Sequence, residues 1–514
     1  MNNPSILPRR LLIFVILVPL AAFLGYLLAD PDFGSFILIG GFVCLLLSPI
    51  FLRWHHLILV ASWNLWMVIF FLPGGPPFWM LTALISLGIT LLHKILDKQK
   101  RLCGVPSVTW SLIVLGLVVL FTMKVTGGLA LRSMGGTVYG GRKYFYVLLA
   151  IVGYFALSTQ PIPLQKAKGY ASAFLLGGLS SVMSNLIYFM GPGMWVLYNL
   201  FSVDFAVGQA VEDFNAPYEQ KLGRLAGMGP AGLAVFFLML ARYGVGGVLD
   251  WTKPWRIVIL AGAIGVSSLG GFRSLIILAA AIVAIQFFLE GLHRTRLLPI
   301  MILTGTVLLA VAFPMAKKMP LAVQRCLSVL PVEVDPAVRA DAKNSTDWRL
   351  QMWEVLLPEV PQYLWVGKGC AVSATDYYLA IESFRRGLSL DYEFFIVAGD
   401  YHNGPLSVLI PFGLPGALAF AWFLIMGGRV LHRNYRYGDP GLKTINTFLY
   451  ACFLARVFFY LVVFGGFHGD IVNFIGLVGF SVSLNRGMRR VPEPLKQEAA
   501  TSDKLIRFKP SRAF

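Results

Sequence analysis

Apolar residues come in fourteen runs along the chain, cut by charges and by Gly/Pro turns. The runs fall near residues 11–29, 34–52, 57–73, 78–93, 109–126, 144–158, 170–190, 228–243, 256–271, 274–290, 298–314, 405–427, 444–464 and 470–485. Most approach the roughly 20 apolar residues that a helix needs to cross a bilayer core. The first run lacks the small-residue cleavage site of a signal peptide and is kept as a helix. The pattern predicts an all-α, polytopic membrane protein with about 12–14 transmembrane helices.

One long polar segment, 315–404, separates the late runs. Apolar residues recur inside it at helical spacing around Trp348–Val360 and Tyr377–Phe384, which predicts folded helix rather than linker. A shorter polar stretch, 191–227, holds Gly191-Pro192-Gly193 and is compatible with a partly re-entrant path. The chain thus divides into N-terminal helices (1–190), core helices with external arginines (191–314), a large external loop (315–404), C-terminal helices (405–485) and a basic tail (486–514).

Composition sharpens this picture. Of 514 residues, 57% are hydrophobic and 13% charged, against roughly 25% charged in a soluble domain. A soluble globular enzyme and a disordered chain are both excluded. The net charge is +18. In a soluble protein that would point to nucleic acid; here the question is which loops carry it. With Arg9 and Arg10 inside and strict alternation, 25 of the 43 Lys and Arg fall in cytoplasmic segments. Both termini are therefore expected in the cytoplasm and segment 315–404 outside.

Arg242 lies near an inner helix end and Arg456 within a span. Sixteen basic residues face outward, among them Arg132, Arg142, Lys143, Lys221, Arg224, Arg273, Lys317, Lys318, Arg349 and Lys368. Long loops escape the charge bias, which accounts for most of these. Arg142, Arg224 and Arg273 sit at the external membrane edge instead. There they suit an anionic lipid headgroup, arginine being the usual partner of phosphate.

Four constellations can carry chemistry. In Ser267-Ser268-Leu269-Gly270-Gly271-Phe272-Arg273-Ser274, two apolar helices meet at a tight turn bearing one arginine. Arg273 reads either as a snorkelling or ion-paired side chain or as a phosphate clamp beside a helix N-terminus. Arg224-Leu225-Ala226-Gly227-Met228-Gly229-Pro230 opens a span from outside, and Arg224 reads as an interfacial anchor or a ligand for the same phosphate. In Asp400-Tyr401-His402-Asn403-Gly404-Pro405, His402 ends the external loop, where it reads as a hydrogen-bonding loop residue or as a proton acceptor near neutral pH. In Thr346-Asp347-Trp348-Arg349-Leu350-Gln351-Met352-Trp353-Glu354, followed by Val366-Gly367-Lys368-Gly369, the tryptophans read as packing residues and Arg349 as a phosphate or sugar ligand. There is no C-x-x-C, H-E-x-x-H or Walker A loop, so no metal site, cofactor or ATP hydrolysis is expected.

The order of these motifs is more specific than any one of them. An external R-x-x-G precedes a helix, a Gly/Ser-turn arginine joins two helices, a long loop carries W-R-x-x-x-W and G-x-G, and H-N-G-P opens an apolar helix. Over roughly residues 200–430 this resembles the O-antigen ligase and polysaccharide polymerase superfamily of bacterial envelope enzymes. The resemblance implies transfer of a glycan from an undecaprenyl diphosphate carrier to a hydroxyl acceptor, either lipid A-core or a growing polysaccharide. The reaction would run on the periplasmic face of the inner membrane. It implies that Arg224 and Arg273 hold the diphosphate, that Arg349 and Asn403 contribute to substrate binding, and that His402 acts on the acceptor hydroxyl. The family's Ser-Arg-Gly order is here Gly-Phe-Arg-Ser.

The chemistry is coherent without the family. A diphosphate leaving group gains negative charge, which preorganised arginines stabilise without a metal. Imidazole can take the hydroxyl proton. A single displacement inverts the anomeric centre. Two other readings use different residues. A lipid-phosphate-sugar glycosyltransferase would use an acidic pair in the first external loop, here Asp30 and Asp32. A flippase or transporter of lipid-linked glycan would need no His402 but a polar path across the bilayer. Finally, Cys326 and Cys370 both fall in the outer loop, where an oxidising compartment permits a disulfide; two free thiols are the alternative.

Overall fold

The computed structural model describes residues 14, 18–26, 29, 33–70, 72, 74–99, 103–128, 138–207, 223–388 and 390–489. The N-terminal half supplies α1 (Phe33–Ser62), α2 (Phe78–Leu96), α3 (Pro106–Thr126), α4 (Gly141–Ser158), α5 (Ala167–Leu176) and α6 (Val182–Met190). The core helices are α7 (Met228–Val248), α8 (Trp255–Ser268), α9 (Arg273–Leu289) and α10 (Leu297–Met315). The polar segment folds into α11 (Leu321–Leu327), α12 (Pro336–Leu356), α13 (Ala374–Arg385) and α14 (Asp391–Ala398). The chain then returns through α15 (Gly404–Tyr437), α16 (Lys443–Phe458) and α17 (Phe467–Asn485). The only sheet among the described residues pairs β1 (Val138–Tyr139) with β2 (Val372–Ser373), antiparallel.

The protein is all-α and polytopic. Nine helical stretches among the described residues are long and apolar enough to cross a membrane, and α8 and α9 are shorter apolar helices. The expected helices in 315–404 are present as α12 and α13.

The hydropathy pattern fails at one place. Runs 34–52 and 57–73 were expected as separate spans, split at Arg53-Trp54-His55-His56. They share one continuous helix, α1, that ends at Ser62. The polar break is no turn because its histidines are buried in the bundle. His55 Nδ1 lies 2.9 Å from Ser86 Oγ, and His56 Nε2 lies 3.0 Å from the Leu157 carbonyl. Beyond Ser62 the chain turns and forms isolated bridges, Met67 with Phe201 and Val68 with Pro77. Run 170–190 is also interrupted, by a 3₁₀ turn at Gly177–Ser181.

The helices share one core. Tyr154, Phe236, Phe287, Phe423, Phe448 and Phe480 are fully buried in it. Outward-facing Leu117, Phe121, Val258 and Phe288 stay exposed, as expected where the surroundings are lipid. The bundle has two ends. At one, the start of α15 meets the start of α17, where Phe467 N donates to Ser407 Oγ. The start of α7 meets the end of α8 at the same end, where Leu225 N donates to the Leu269 carbonyl. The described part of segment 316–403 packs on this loop end, with Arg325 donating to the Gly271 carbonyl and Gly369 N to that of Pro411. At the other end, Asn446 and Asn485 exchange side-chain hydrogen bonds, and Tyr435 donates to the Leu289 carbonyl.

Two helix breaks carry their own compensation. Gly244 interrupts α7, and the freed amides of Val245 and Gly246 donate to the Glu290 carboxylate, both at 2.9 Å. Gly413 interrupts α15, and Pro415 has no N–H to give the Pro411 carbonyl. The G-x-G segment repairs this second break. Lys368 N donates to the Ile410 carbonyl, Gly369 N to the Pro411 carbonyl, and Leu414 N to the Leu364 carbonyl. Gly367, at φ +84°, lies so close that a Cβ would sit 2.2 Å from the Pro411 oxygen. This motif therefore seats the polar segment on α15.

Candidate active site

The loop end gathers arginines from three parts of the chain. Arg273 is the first residue of α9, directly after the turn that closes α8. It thus adds its charge at a helix N-terminus, where the backbone dipole already favours an anion. Its guanidinium donates to the Ala342 carbonyl of α12 at 3.0 Å and lines an open cleft of about 590 Å³. Arg224, four residues before α7, lays its aliphatic stem on Gly271 and its guanidinium 5.3 Å from the Phe272 ring. Gly271 has φ +69°, and a Cβ there would sit 2.9 Å from Arg224 Cγ. The Gly-Phe-Arg-Ser order therefore serves a left-handed turn that the arginine packs against.

Arg325 of α11 was not singled out from the sequence. It is buried, ion-paired to Asp341, and donates to the Gly271 carbonyl at 2.7 Å. It ties the polar segment to the turn that bears Arg273. Its motif, Gln-Arg-Cys in a short helix, looks no different from a solvated loop helix, so nothing local marked it. Cys326 beside it donates to the Ser268 carbonyl. Burial pushes its thiol up to about 11, against the pull of Arg325, Arg224 and Arg273.

Arg349 of α12 completes the group. Its guanidinium stands 5.2 Å from the Trp348 ring and 5.8 Å from the Phe464 ring, and its buried Nε has no partner among the described residues. Burial lowers its pKa, the like charges of Arg273 and Arg325 lower it further, and Asp400 opposes them. It remains charged, as arginine does in proteins. An anion brought here would relieve the mutual repulsion.

His402 stands next to Arg349. Its ring is enclosed by Trp348 at 5.1 Å, Phe395 at 5.2 Å and Phe464 at 5.2 Å. Both ring nitrogens are buried without a hydrogen-bond partner among the described residues. His402 also holds φ at +49°, a conformation uncommon for a side-chain-bearing residue. Burial lowers its pKa, Asp400 raises it, and Arg349 lowers it again. The imidazole is thus kept neutral and able to accept a proton.

The turn that presents His402 is held from several sides. Lys143 of α4 donates to the carbonyls of Ala398 and Gly399, at 2.6 and 2.8 Å. Trp353 Nε1 donates to the Tyr401 carbonyl at 2.9 Å. Asn403 caps α15, its side-chain oxygen accepting from Leu406 N at 3.1 Å. Trp348 stacks on Phe395 at 5.0 Å, within a small apolar cluster that includes Met352, Leu356 and Tyr401. The tryptophans pack against this cluster, as expected. Lys143 was read from the sequence only as an outward-facing charge.

Of the sequence-derived residues, the structure brings Arg224, Arg273, Arg349 and His402 to one end of the bundle, and places Asn403 in a helix cap beside them. Asp30 and Asp32 lie outside the described residues. Cys326 and Cys370 are not paired. Cys326 packs on the Ser268–Gly271 turn, whereas Cys370 lies beside Tyr144, to whose hydroxyl oxygen its backbone N–H donates at 2.7 Å. The two cysteines are thus held by different clusters.

Residues 223–421 match the O-antigen ligase family model. The matched segment begins one residue before Arg224 and takes in Arg273, Arg325, Arg349, His402 and Asn403. It confirms the superfamily resemblance read from the sequence and supports a glycosyl-transfer role at a membrane. No curated protein matches the chain.

Proposed function

We propose that this protein is a membrane glycosyltransferase that moves a glycan from undecaprenyl diphosphate to a hydroxyl acceptor, lipid A-core or a growing polysaccharide. The reaction runs on the periplasmic face of the bacterial inner membrane. The Arg9-Arg10 pair and the basic tail after α17 keep both termini in the cytoplasm. The domain division at 190, 314, 404 and 485 follows from the same layout.

One observation supports the reading: arginines from α9, α11 and α12 lie close enough to repel one another, and one of them, Arg349, adjoins a buried imidazole whose two nitrogens have no hydrogen-bond partner among the described residues. Arg273 and Arg349, with Arg224, hold the diphosphate and stabilise the charge that grows on it as the bond to the sugar breaks. His402 takes the proton of the acceptor hydroxyl as its oxygen bonds to the anomeric carbon. The electron pair of the broken carbon–oxygen bond stays on the diphosphate. The imidazolium then returns its proton to solvent. One displacement inverts the anomeric centre, and the arginines supply the charge that a metal supplies elsewhere. Asn403 fixes the start of α15 beneath the acceptor.

The test is reconstitution in vesicles with a lipid-linked glycan, with and without lipid A-core. His402→Ala, Arg273→Ala and Arg224→Ala are expected to abolish transfer while the protein still inserts. Product on the carrier identifies a polymerase and product on lipid A-core a ligase. Near-normal transfer by His402→Ala would overturn the general-base assignment, and translocation without transfer would favour a transporter.

A further inference from the structure

Two residues before His402 stands a carboxylate that the transfer reading leaves unused. Asp400 Oδ2 lies 3.9 Å from His402 Nε2, and Nδ1 is the other ring nitrogen without a partner among the described residues. Of its other described neighbours, Trp348 of α12, Phe395 of α14 and Phe464 present aromatic faces, and Arg349 of α12 presents only donors. Among the described residues, Asp400 supplies the carboxylate beside the ring that can accept from its N–H.

The turn is built to hold this pair in place. Asp400 N donates to the Phe395 carbonyl at 2.9 Å, Lys143 grips the two preceding carbonyls, and Trp353 grips the following one. A left-handed histidine persists only where its surroundings over-determine it. Here the restraints fall on both sides of His402 and fix its ring against Asp400.

We propose that Asp400 is a positioning residue for His402, accepting a hydrogen bond from Nε2–H and so leaving Nδ1 as the base that meets the acceptor hydroxyl. This rests on the transfer reading above. The carboxylate closes to a full hydrogen bond when the ring becomes imidazolium. It stabilises the charge that forms as the acceptor oxygen loses its proton. Without it, the Arg349 charge that opposes protonation is left unbalanced.

The test uses Asp400→Asn and Asp400→Glu in the full chain. The first readout is modification of His402 by diethyl pyrocarbonate against pH, followed by peptide mass spectrometry. Only neutral imidazole reacts, so the midpoint reports ring titration whether or not the protein transfers glycan. Removing a charge 3.9 Å away shifts the midpoint to lower pH by ~0.8 unit even in a water-like dielectric, and by more in a partly dry site. Asp400→Glu is expected to recover most of that shift. The second readout is glycan transfer: kcat of Asp400→Asn falls by about 10²-fold or more with little change in donor KM, and the acid limb of its profile moves to lower pH. A modification midpoint identical to the wild type in both variants overturns the proposal. A shifted midpoint in a protein that never transfers glycan leaves this pairing standing and overturns the transfer reading instead.

Discussion

Replacing Lys143 with methionine removes the ammonium group but keeps most of the stem. Its Nζ donates at 2.6 Å to the Ala398 carbonyl and at 2.8 Å to that of Gly399. Both belong to the C-terminal end of α14, where carbonyls lack partners within the helix and carry partial negative charge. Hydrogen bonds to a charged group contribute roughly 1.5–3 kcal/mol each. Allowing water to reach a half-buried site, the pair is expected to contribute about 2–4 kcal/mol. The loss falls on the turn of residues 395–403 rather than on the bundle, whose core lies elsewhere. Amide exchange in that segment should accelerate by about 30- to 1000-fold, which is the same energy expressed as a local opening equilibrium. Transfer should fall at least ~10-fold through kcat, because 1.4 kcal/mol of lost positioning suffices for that. The assay is hydrogen–deuterium exchange of detergent-purified protein beside transfer in vesicles. Unchanged exchange over 395–403 would refute the claim that Lys143 holds the His402 turn.

Two further outcomes follow from the packing. Gly367→Ala forces a Cβ against the Pro411 carbonyl at a left-handed position, costing about 2–4 kcal/mol in strain and lost loop-to-α15 hydrogen bonds; the segment 364–370 should become protease-sensitive, and wild-type resistance would count against the seating role of the motif. Cys326 and Cys370 are free, with thiols pushed up to about 11 and about 12 by burial. Both should alkylate slowly at pH 8 in native protein and fully after denaturation without reductant, whereas protection in the denatured, unreduced sample would mean a disulfide.

Much of this protein was legible in one dimension. The apolar runs fixed the class, because a helix in lipid must satisfy its backbone internally and carry a long apolar surface. The helical spacing in 315–404 located α12 and α13, since amphipathic period survives wherever a helix lies on a bundle. Arg224 and Arg273 were visible because charge at the edge of apolar runs is costly and therefore conspicuous; Arg349 and His402 stood out through the order of motifs around them. Run 57–73 misled because hydropathy counts Arg53-Trp54-His55-His56 as a break, while Ser86 and the Leu157 carbonyl supply partners that keep α1 continuous.

What tertiary structure alone decided were the partnerships. Arg325 was indistinguishable from a loop arginine until folding set it against Gly271 and Asp341. Lys143 became a clamp only when α4 met the end of α14, 255 residues later in the chain. The G-x-G segment carried no role in the sequence alone, and its work proved to be the backbone groups that Gly413 and Pro415 leave open. The same holds for Asp400, whose value lies in facing one nitrogen of His402 across a turn fixed by Lys143 and Trp353. Hydropathy is a property of each residue and adds along the chain. Hydrogen bonding and charge pairing depend on distance, and distance between remote residues exists only after the chain has packed.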